Sequence, residues 1–215
     1  MKNISIQNTE DKSPTLYSEL YKEHYHSTFG AVNESKHIFI NAGLKQVKNK
    51  KISIFEMGFG SGLNALLTLE YAINHNLNIN YHTVEKHPIL EDVYTKLEFV
   101  KGTENNFNKL HNAPWGKEIK INENFSLKKI NIDLNAYNHI EKYDLVYFDA
   151  FSPDIQANLW SEEIFAKIYK QMNAGGIFMT YSVKGIVKRA LKSVGFKIEK
   201  IPGPKGKREI LRAYK

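Results

Sequence analysis

"KISIFEMGFGSGLNALLTLEYAINH", residues 51–75, decides the fold. Apolar residues at 52, 54, 55 and 57 read as a strand, and the run from Leu63 to His75 has the apolar spacing of a helix. Between them Gly58, Gly60 and Gly62 stand at every second position. Glycine there permits strained backbone angles and lets a ligand approach the main chain closely. A helix that starts beside such a turn offers unpaired amide donors and the positive end of its dipole. The pattern is strand, tight turn, helix. A tight turn without chemical use has the same outline.

Working outward, the alternation continues. INYHTVE (79–85) reads as a second strand, followed by a helix from Pro88 to about Phe99. FSLKKI (125–130), YDLVYFD (143–149) and GGIFMTYS (175–182) read as further strands. SEEIFAKIYKQM (161–172) is a helix with Ser161 as its cap, and KGIVKRALKSVG (184–195) is a helix closed by Gly195. FKIEKI (196–201) and REILRAY (208–214) are strands joined by the turn PGPKGK. Strands alternating with helices predict a parallel sheet covered on both faces, and the final pair joined by a short turn must be antiparallel. Upstream, residues 1–14 read as a polar, frayed end, and 16–50 as mostly helical around LYSELYKEHY and SKHIFINAGL. Two units follow: an N-terminal helical extension that lids a ligand site (1–50) and the α/β domain (51–215).

Composition narrows the function classes. At 42% hydrophobic and 25% charged, 215 residues make one ordinary domain with room for a small appendage. There is no cysteine, so disulfides, thiolate metal sites and a cysteine nucleophile are excluded. No apolar run approaches the ~18 residues of a membrane span, and MKNISIQNTEDKS lacks the apolar core of a signal peptide. The expected compartment is the cytoplasm. The eight histidines show no two-histidine zinc spacing, and no metal is expected. Net charge is +7, unevenly placed: residues 184–215 carry eleven Lys/Arg against two Glu, while the other 183 hold 19 basic and 21 acidic groups. Such a stretch is either a solvated helix face or a surface for an anionic partner, nucleic acid first.

Several residues carry candidate chemistry. The glycine spacing is not the dinucleotide G-x-G-x-x-G, because Leu63 holds the third place. A sheet of this kind that ends in a hairpin resembles the Rossmann-like class I S-adenosylmethionine (SAM) methyltransferases, with a seven-stranded, mostly parallel sheet and an antiparallel C-terminal hairpin strand. SAM carries a carboxylate, an ammonium and a sulfonium, and Glu56 before the loop suits the ammonium. Glu85 ends the second strand about 20 residues past the loop, the place of a carboxylate that accepts both ribose hydroxyls; a surface Glu beside Lys86 is the plainer alternative. Asp133 is placed for the adenine amino group, or for a loop of its own. Asp149 closes the fourth strand and runs straight into "AFSPDIQANLW". A strand-end carboxylate there faces the methyl-transfer position, unless it serves only as a turn or cap residue. His24 and His26 read as surface histidines before a lid function, Glu34 and Ser35 as a capping pair, and Trp115 and Trp160 as packing.

The sequence resembles a known family, the tRNA (5-methylaminomethyl-2-thiouridine) methyltransferases, the methylating half of the bifunctional MnmC-type enzymes. The resemblance covers nearly the whole chain. It rests on YHSTFGAVNESKHIF (25–39), FEMGFGSGLNALL (55–67), VEKHP (84–88), DAFSPDIQANLW (149–160), TYSVKGIVKRAL (180–191) and GPKGKREIL (203–211). It implies methyl transfer from SAM to the aminomethyl group of the wobble uridine, held in the anticodon stem-loop of tRNA. It also implies that Tyr25, Gly30, Glu34 and Ser35 line the cofactor site. The FAD-dependent oxidase half is absent from the resemblance, so other enzymes are expected to supply the aminomethyl precursor. Ala157 stands where the family often has proline and Ile155 where lysine is common.

The chemistry is coherent with that resemblance. An alkylammonium with a pKa ~2 units above the working pH is only about 1% free base, a handicap of roughly 2.7 kcal/mol. Asp149 beside the amine would orient it and receive its proton, with Phe151 and Pro153 shaping the slot. Direct C5 methylation of a pyrimidine ordinarily needs a thiolate, and there is none. Lys184, Lys188 and Lys192 recur at helical spacing with Arg189 beside them, and Lys205, Lys207 and Arg208 extend the positive surface toward the substrate. A SAM-using transferase acting on a small amine leaves this basic end without a role. An RNA-binding protein on an inactive fold leaves the glycines, Glu85 and Asp149 without one.

Overall fold

The computed structural model describes residues 4–138 and 141–215. Its frame is an eight-stranded sheet of β4 (Lys51–Met57), β5 (Asn78–Glu85), β6 (Glu118–Asn122), β7 (Phe125–Asn131), β8 (Tyr143–Phe148), β9 (Met172–Thr180), β10 (Lys197–Pro202) and β11 (Glu209–Tyr214). The spatial order is β10-β11-β9-β8-β4-β5-β7-β6. The five central strands are parallel. β11 lies antiparallel between β9 and β10, which is the hairpin ending read from the sequence. The expected seven strands are joined by an eighth, β6, antiparallel to β7 at the far edge. Its pattern is half-exposed, as suits an edge strand, and it carries little apolar signal.

Two apolar layers clamp the sheet. Ile52, Ile54, Leu145 and Tyr147 pack under α2 (Leu63–His75). Phe55, Val146, Phe148 and Phe178 pack under α5 (Glu162–Gln171) and α6 (Gly185–Ser193). Each strand thus feeds alternate side chains to opposite faces, and both faces are covered. α6 buries Val187, Ala190 and Leu191, the i, i+3, i+4 stripe of a surface helix. Ser161 caps α5 through Ile164 N at 3.4 Å, as its sequence indicates.

The N-terminal part differs from the expected helix. Residues 1–3 lie outside the described residues, and Ile4–Asn8 (β1), Pro14–Ser18 (β2) and Glu23–His24 (β3) form a separate three-stranded antiparallel sheet. LYSELYKEHY cannot continue as a helix, because Lys22 has a positive φ of 52°. Helix begins only at α1 (Ala31–Ser35) and runs on as a π turn over Lys36–Asn41. The expected helix from Pro88 to Phe99 shrinks to one turn, α3 (Glu91–Tyr94). Its buried residues, Ile89, Tyr94, Leu97 and Phe99, do not recur at helical spacing. A helix not read from the sequence, α4 (Glu104–Asn112), follows it.

Candidate active site

A cavity of about 540 Å³ opens at the carboxyl ends of the parallel strands, where the strand order reverses on either side of β4. This is where open α/β sheets hold ligands. Its floor is the glycine turn. Gly58, Gly60 and Gly62 have φ of 88°, 52° and 78°, which side chains rarely adopt. A Cβ on Gly58 would lie 3.3 Å from the Asp149 carbonyl, and one on Gly60 would lie 3.3 Å from the Tyr25 ring. No side chain caps α2 at Gly62, so the first-turn amides face the cavity where Leu63 and Asn64 line it.

The cavity has two ends. At one, Glu85 leaves β5 and accepts hydrogen bonds from Gly60 N (3.0 Å) and His87 N (2.7 Å). Asp133 lies beyond it, paired with Lys86 at 2.9 Å and bonded to Asn135 N at 2.9 Å. The Lys86 bond holds the Asp133 carboxyl below its usual range, although burial opposes this. Tyr21 and Tyr25 form a wall here, their rings 4.5 and 5.0 Å from that of Phe151.

At the other end stands Asp149, just past β8. Its Oδ2 accepts from Asn64 Nδ2 at 2.8 Å. Burial pushes the Asp149 carboxyl up to about 7; the Asn64 bond and the Lys207 charge pull it down, and Glu34 pushes it up. Glu34 and Lys207 pair at 2.8 Å across the cavity, and Lys207 Nζ lies 5.3 Å over the Tyr181 ring. Tyr181 donates its hydroxyl to the Ala150 carbonyl at 2.9 Å.

The structure thus brings Tyr25, Glu34, Gly58, Gly60, Glu85, Asp133, Asp149, Phe151 and Lys207 to one cavity. Other expected residues stand apart. Glu56 is fully buried on the α2 face of β4 beside Thr83, Tyr81 and Asn64. Burial raises its carboxyl well above the usual range, and it stands outside the cavity lining, not as an exposed partner for an ammonium. Gly30 and Ser35 are buried away from the cavity lining, and so is Pro153. Gly30 is needed where it stands, since a Cβ would meet Asp11 Oδ2 at 2.6 Å. Glu34 and Ser35 do not cap a helix: α1 begins four residues before Ser35, and Glu34 accepts from Ser27 N at 2.7 Å. His26 is not a surface histidine. It meets Thr15 Oγ1 and Ser61 Oγ at 3.4 and 3.3 Å, and burial brings it down to about 4, so it is neutral. His24 lines the cavity as well and bonds Gln7 at 2.9 Å. Trp160 is packing, its Nε1 donating to the Phe151 carbonyl at 2.9 Å.

Sequence reasoning missed Asn64, Tyr181 and the support beneath the loop. Asn64 was within reach, because a residue in a helix's first turn points back toward its N-terminus. Below the loop, His111 Nε2 contacts Ser61 O at 3.1 Å, and the buried Lys129 donates to His111 O at 2.6 Å between the rings of Phe59 and Trp115.

Fold and cavity together define a class I methyltransferase: a parallel sheet with a reversed last strand, a glycine turn, and one carboxylate at each end of the site. A model of the S-adenosyl-L-methionine-dependent methyltransferase family matches residues 97–215, and the chain belongs to that family. It is 30% identical to the tRNA 5-methylaminomethyl-2-thiouridine biosynthesis bifunctional protein MnmC of Burkholderia thailandensis, over 92% of this chain and 33% of that protein. The corresponding protein of Campylobacter fetus is 31% identical over 92% and 34%. The chain spans about a third of the length of these curated relatives. MnmC2 of Aquifex aeolicus superposes with a TM-score of 0.84 at 27% identity, over 99% of this chain and 70% of that one. The spermidine synthase of Thermotoga maritima shares the fold, at a TM-score of 0.65 and 12% identity over 98% and 68%. The cofactor is S-adenosyl-L-methionine. The open glycine floor and the uncapped α2 leave amide donors free at one side of the cavity, and Glu85 offers a fixed carboxylate acceptor at its end. Among the described residues no helix is long and apolar enough to cross a membrane, and no group of three His, Asp or Glu is placed to hold a metal.

Proposed function

We propose that the chain methylates the 5-aminomethyl group of wobble (2-thio)uridine in tRNA, giving 5-methylaminomethyl(-2-thio)uridine. The observation that carries this reading is Asp149: a carboxylate at the reacting end of the cavity, oriented by Asn64 and raised to about 7 by burial. The relatives from Burkholderia and Campylobacter, named for tRNA 5-methylaminomethyl-2-thiouridine biosynthesis, support the same substrate.

SAM, when bound, supplies an electrophilic methyl group and leaves as a thioether with the bonding pair, while the amine's lone pair forms the new N–C bond. The protein's part is to deliver that lone pair. An alkylammonium entering the cavity meets Asp149 Oδ1, since Oδ2 holds Asn64. A carboxylate near 7 is about half ionised at neutral pH and basic enough in that form to take the proton, which is the matching that general base catalysis needs. Glu85 holds the ribose end, with Asp133 beyond it toward the adenine, and Tyr25 and Phe151 exclude water from the methyl-transfer region. With no cysteine to add to the ring, the pyrimidine carbon is not the nucleophile.

The N-terminal sheet acts as a lid over this site. Glu23 Oε2 accepts from Ser152 N at 3.0 Å, and Lys205 pairs with Glu10 at 2.5 Å. For tRNA, the docking surface is the basic face of α6 and the last turn. Lys188 and Arg189 line a shallow depression with Lys192 and Lys200. Lys184 is paired with Asp154 of the loop at the cavity mouth, which puts the start of that face next to the reacting end. Arg208 is exposed on the same turn as Lys207. Phosphates of the anticodon stem-loop would be gripped there, in the cytoplasm where tRNA matures.

The test is to incubate the protein with methyl-labelled SAM and tRNA bearing 5-aminomethyluridine, then digest and identify the labelled nucleoside. Label on the exocyclic amine supports the reading. Label on a ring or ribose atom overturns it, as does transfer only to small free amines.

A further inference from the structure

We propose that Glu34, facing the Tyr181 ring, is the seat of the substrate's ammonium group, and that Lys207 occupies this seat until the substrate displaces it. The inference rests on the amine-methylation reading above and names how the amine is recognised. Glu34 projects from α1 with its side chain only 11% exposed. One oxygen is fixed by Ser27 N at 2.7 Å, and the other faces Lys207 Nζ at 2.8 Å. The same ammonium lies 5.3 Å from the centre of the Tyr181 ring. That ring is anchored through its hydroxyl to the Ala150 carbonyl, the residue after Asp149. A carboxylate and an aromatic face therefore flank one cation, whose charge also acts on Asp149, and this pairing is how proteins hold alkylammonium groups.

The terminus of lysine and the substrate's aminomethyl arm are the same group, a CH2–NH3⁺. Only one of them fits between Glu34 and Tyr181 at a time. Lys207 is suited to leave. Its backbone is held in the hairpin turn by Lys207 N to Pro204 O (2.9 Å) and Gly203 N to Arg208 O (3.1 Å), but its side chain is 30% exposed on a flexible stem. Leaving Glu34 buried without a cation is costly, so the lysine keeps the seat charged and formed while no substrate is present. The plain alternative is a permanent pair that pins the last hairpin to α1. The two differ in sign when Lys207 is removed.

The experiment uses Glu34→Gln, Lys207→Met and the double variant, in two arms. In the first, methylammonium chloride is titrated calorimetrically into each full-length protein. Lys207→Met should bind it about threefold or more tighter than wild type, since no internal competitor remains, while Glu34→Gln and the double variant should show no binding. In the second, KM is measured with aminomethyl-bearing tRNA at saturating SAM. Glu34→Gln should raise KM about tenfold or more, Lys207→Met should lower it, and the double variant should follow Glu34→Gln. Binding of tRNA with an unmodified wobble uridine should not move in Glu34→Gln, which also reports that the variant is folded; a loss of SAM affinity in Glu34→Gln would give the seat to the cofactor's own ammonium and overturn its assignment to the substrate. Equal effects in all three variants, or a raised KM in Lys207→Met, would overturn the seat and leave a structural pair. If methylammonium behaves as stated but wild type transfers no methyl to this tRNA, the seat stands and the substrate reading fails.

Discussion

Glu85 and Asp149 are carboxylates at the ends of two strands that flank β4, and both border the same glycine turn, yet their surroundings are opposite. Glu85 is met by two main-chain donors at 3.0 and 2.7 Å. Asp149 has one side-chain donor at 2.8 Å, and desolvation lifts it to about 7. A carboxylate pinned by backbone N–H groups is a rigid acceptor, good for holding hydroxyls. A carboxylate stripped of donors is a base. On the proposed reading, the same residue chemistry at equivalent strand ends is divided into holding and reacting by its neighbours alone.

The sharpest way to break this comparison is Asp149→Asn, which keeps shape and removes basicity. Turnover should fall by ~10²–10⁴ with SAM affinity nearly unchanged; stopped-flow transfer rates and calorimetry measure the two. The converse variant, Glu85→Ala, should lose ~2 kcal/mol or more of SAM affinity, about thirtyfold, while the rate at saturating SAM stays closer to wild type. Equal losses of binding and rate in both variants would erase the division.

How far this was legible differs by element. The alternation from Lys51 to Asp149 disclosed the parallel sheet, and the short PGPKGK turn disclosed its reversed end, because period and turn chemistry are local. Glu85 and Asp149 could be placed because each ends an apolar run. Glu56 misled, since a charged residue one step before the turn reads as a site residue, whereas strand alternation puts it under α2. Lys129 shows the same rule in reverse: Phe125, Leu127 and Lys129 share the buried face of β7, and no local signal says that aromatic rings and the end of α4 will receive the ammonium. The N-terminal sheet was unreadable because β1 and β3 are short and mostly unburied. The ends of the cavity come from residues far apart in the chain, so Asn64 and Tyr181 emerge only when the strands are placed.

Smaller effects sharpen the account. A Lys188→Glu, Arg189→Glu pair should weaken tRNA binding and flatten its salt dependence by about one unit of slope per lost phosphate contact, with SAM affinity unchanged. An unaltered slope would leave that face merely solvated. Stability should also carry the signature of Asp149. Its folded pKa is raised above the unfolded value, so the stability it contributes is full below about pH 4 and is lost as pH rises through about 7. Asp149→Asn, which cannot ionise, should therefore melt higher than wild type at pH 8–9 by an amount equivalent to about 1 kcal/mol or more, a trade of stability for function. Calorimetric melting of both proteins at pH 5 and pH 9 checks it; a gap that does not widen with pH would contradict it.

The most direct test of the central claim is the pH dependence of single-turnover methyl transfer at saturating SAM and aminomethyl tRNA, in wild type and in Asn64→Ala. A base at Asp149 predicts a rate that rises with a midpoint near 7. In Asn64→Ala, where the carboxylate loses its hydrogen-bond donor, the midpoint should move upward. A profile that climbs only toward the pKa of the free alkylammonium, with the same midpoint in both proteins, would mean that Asp149 takes no proton and that the two ends of the cavity differ in nothing that matters to the reaction.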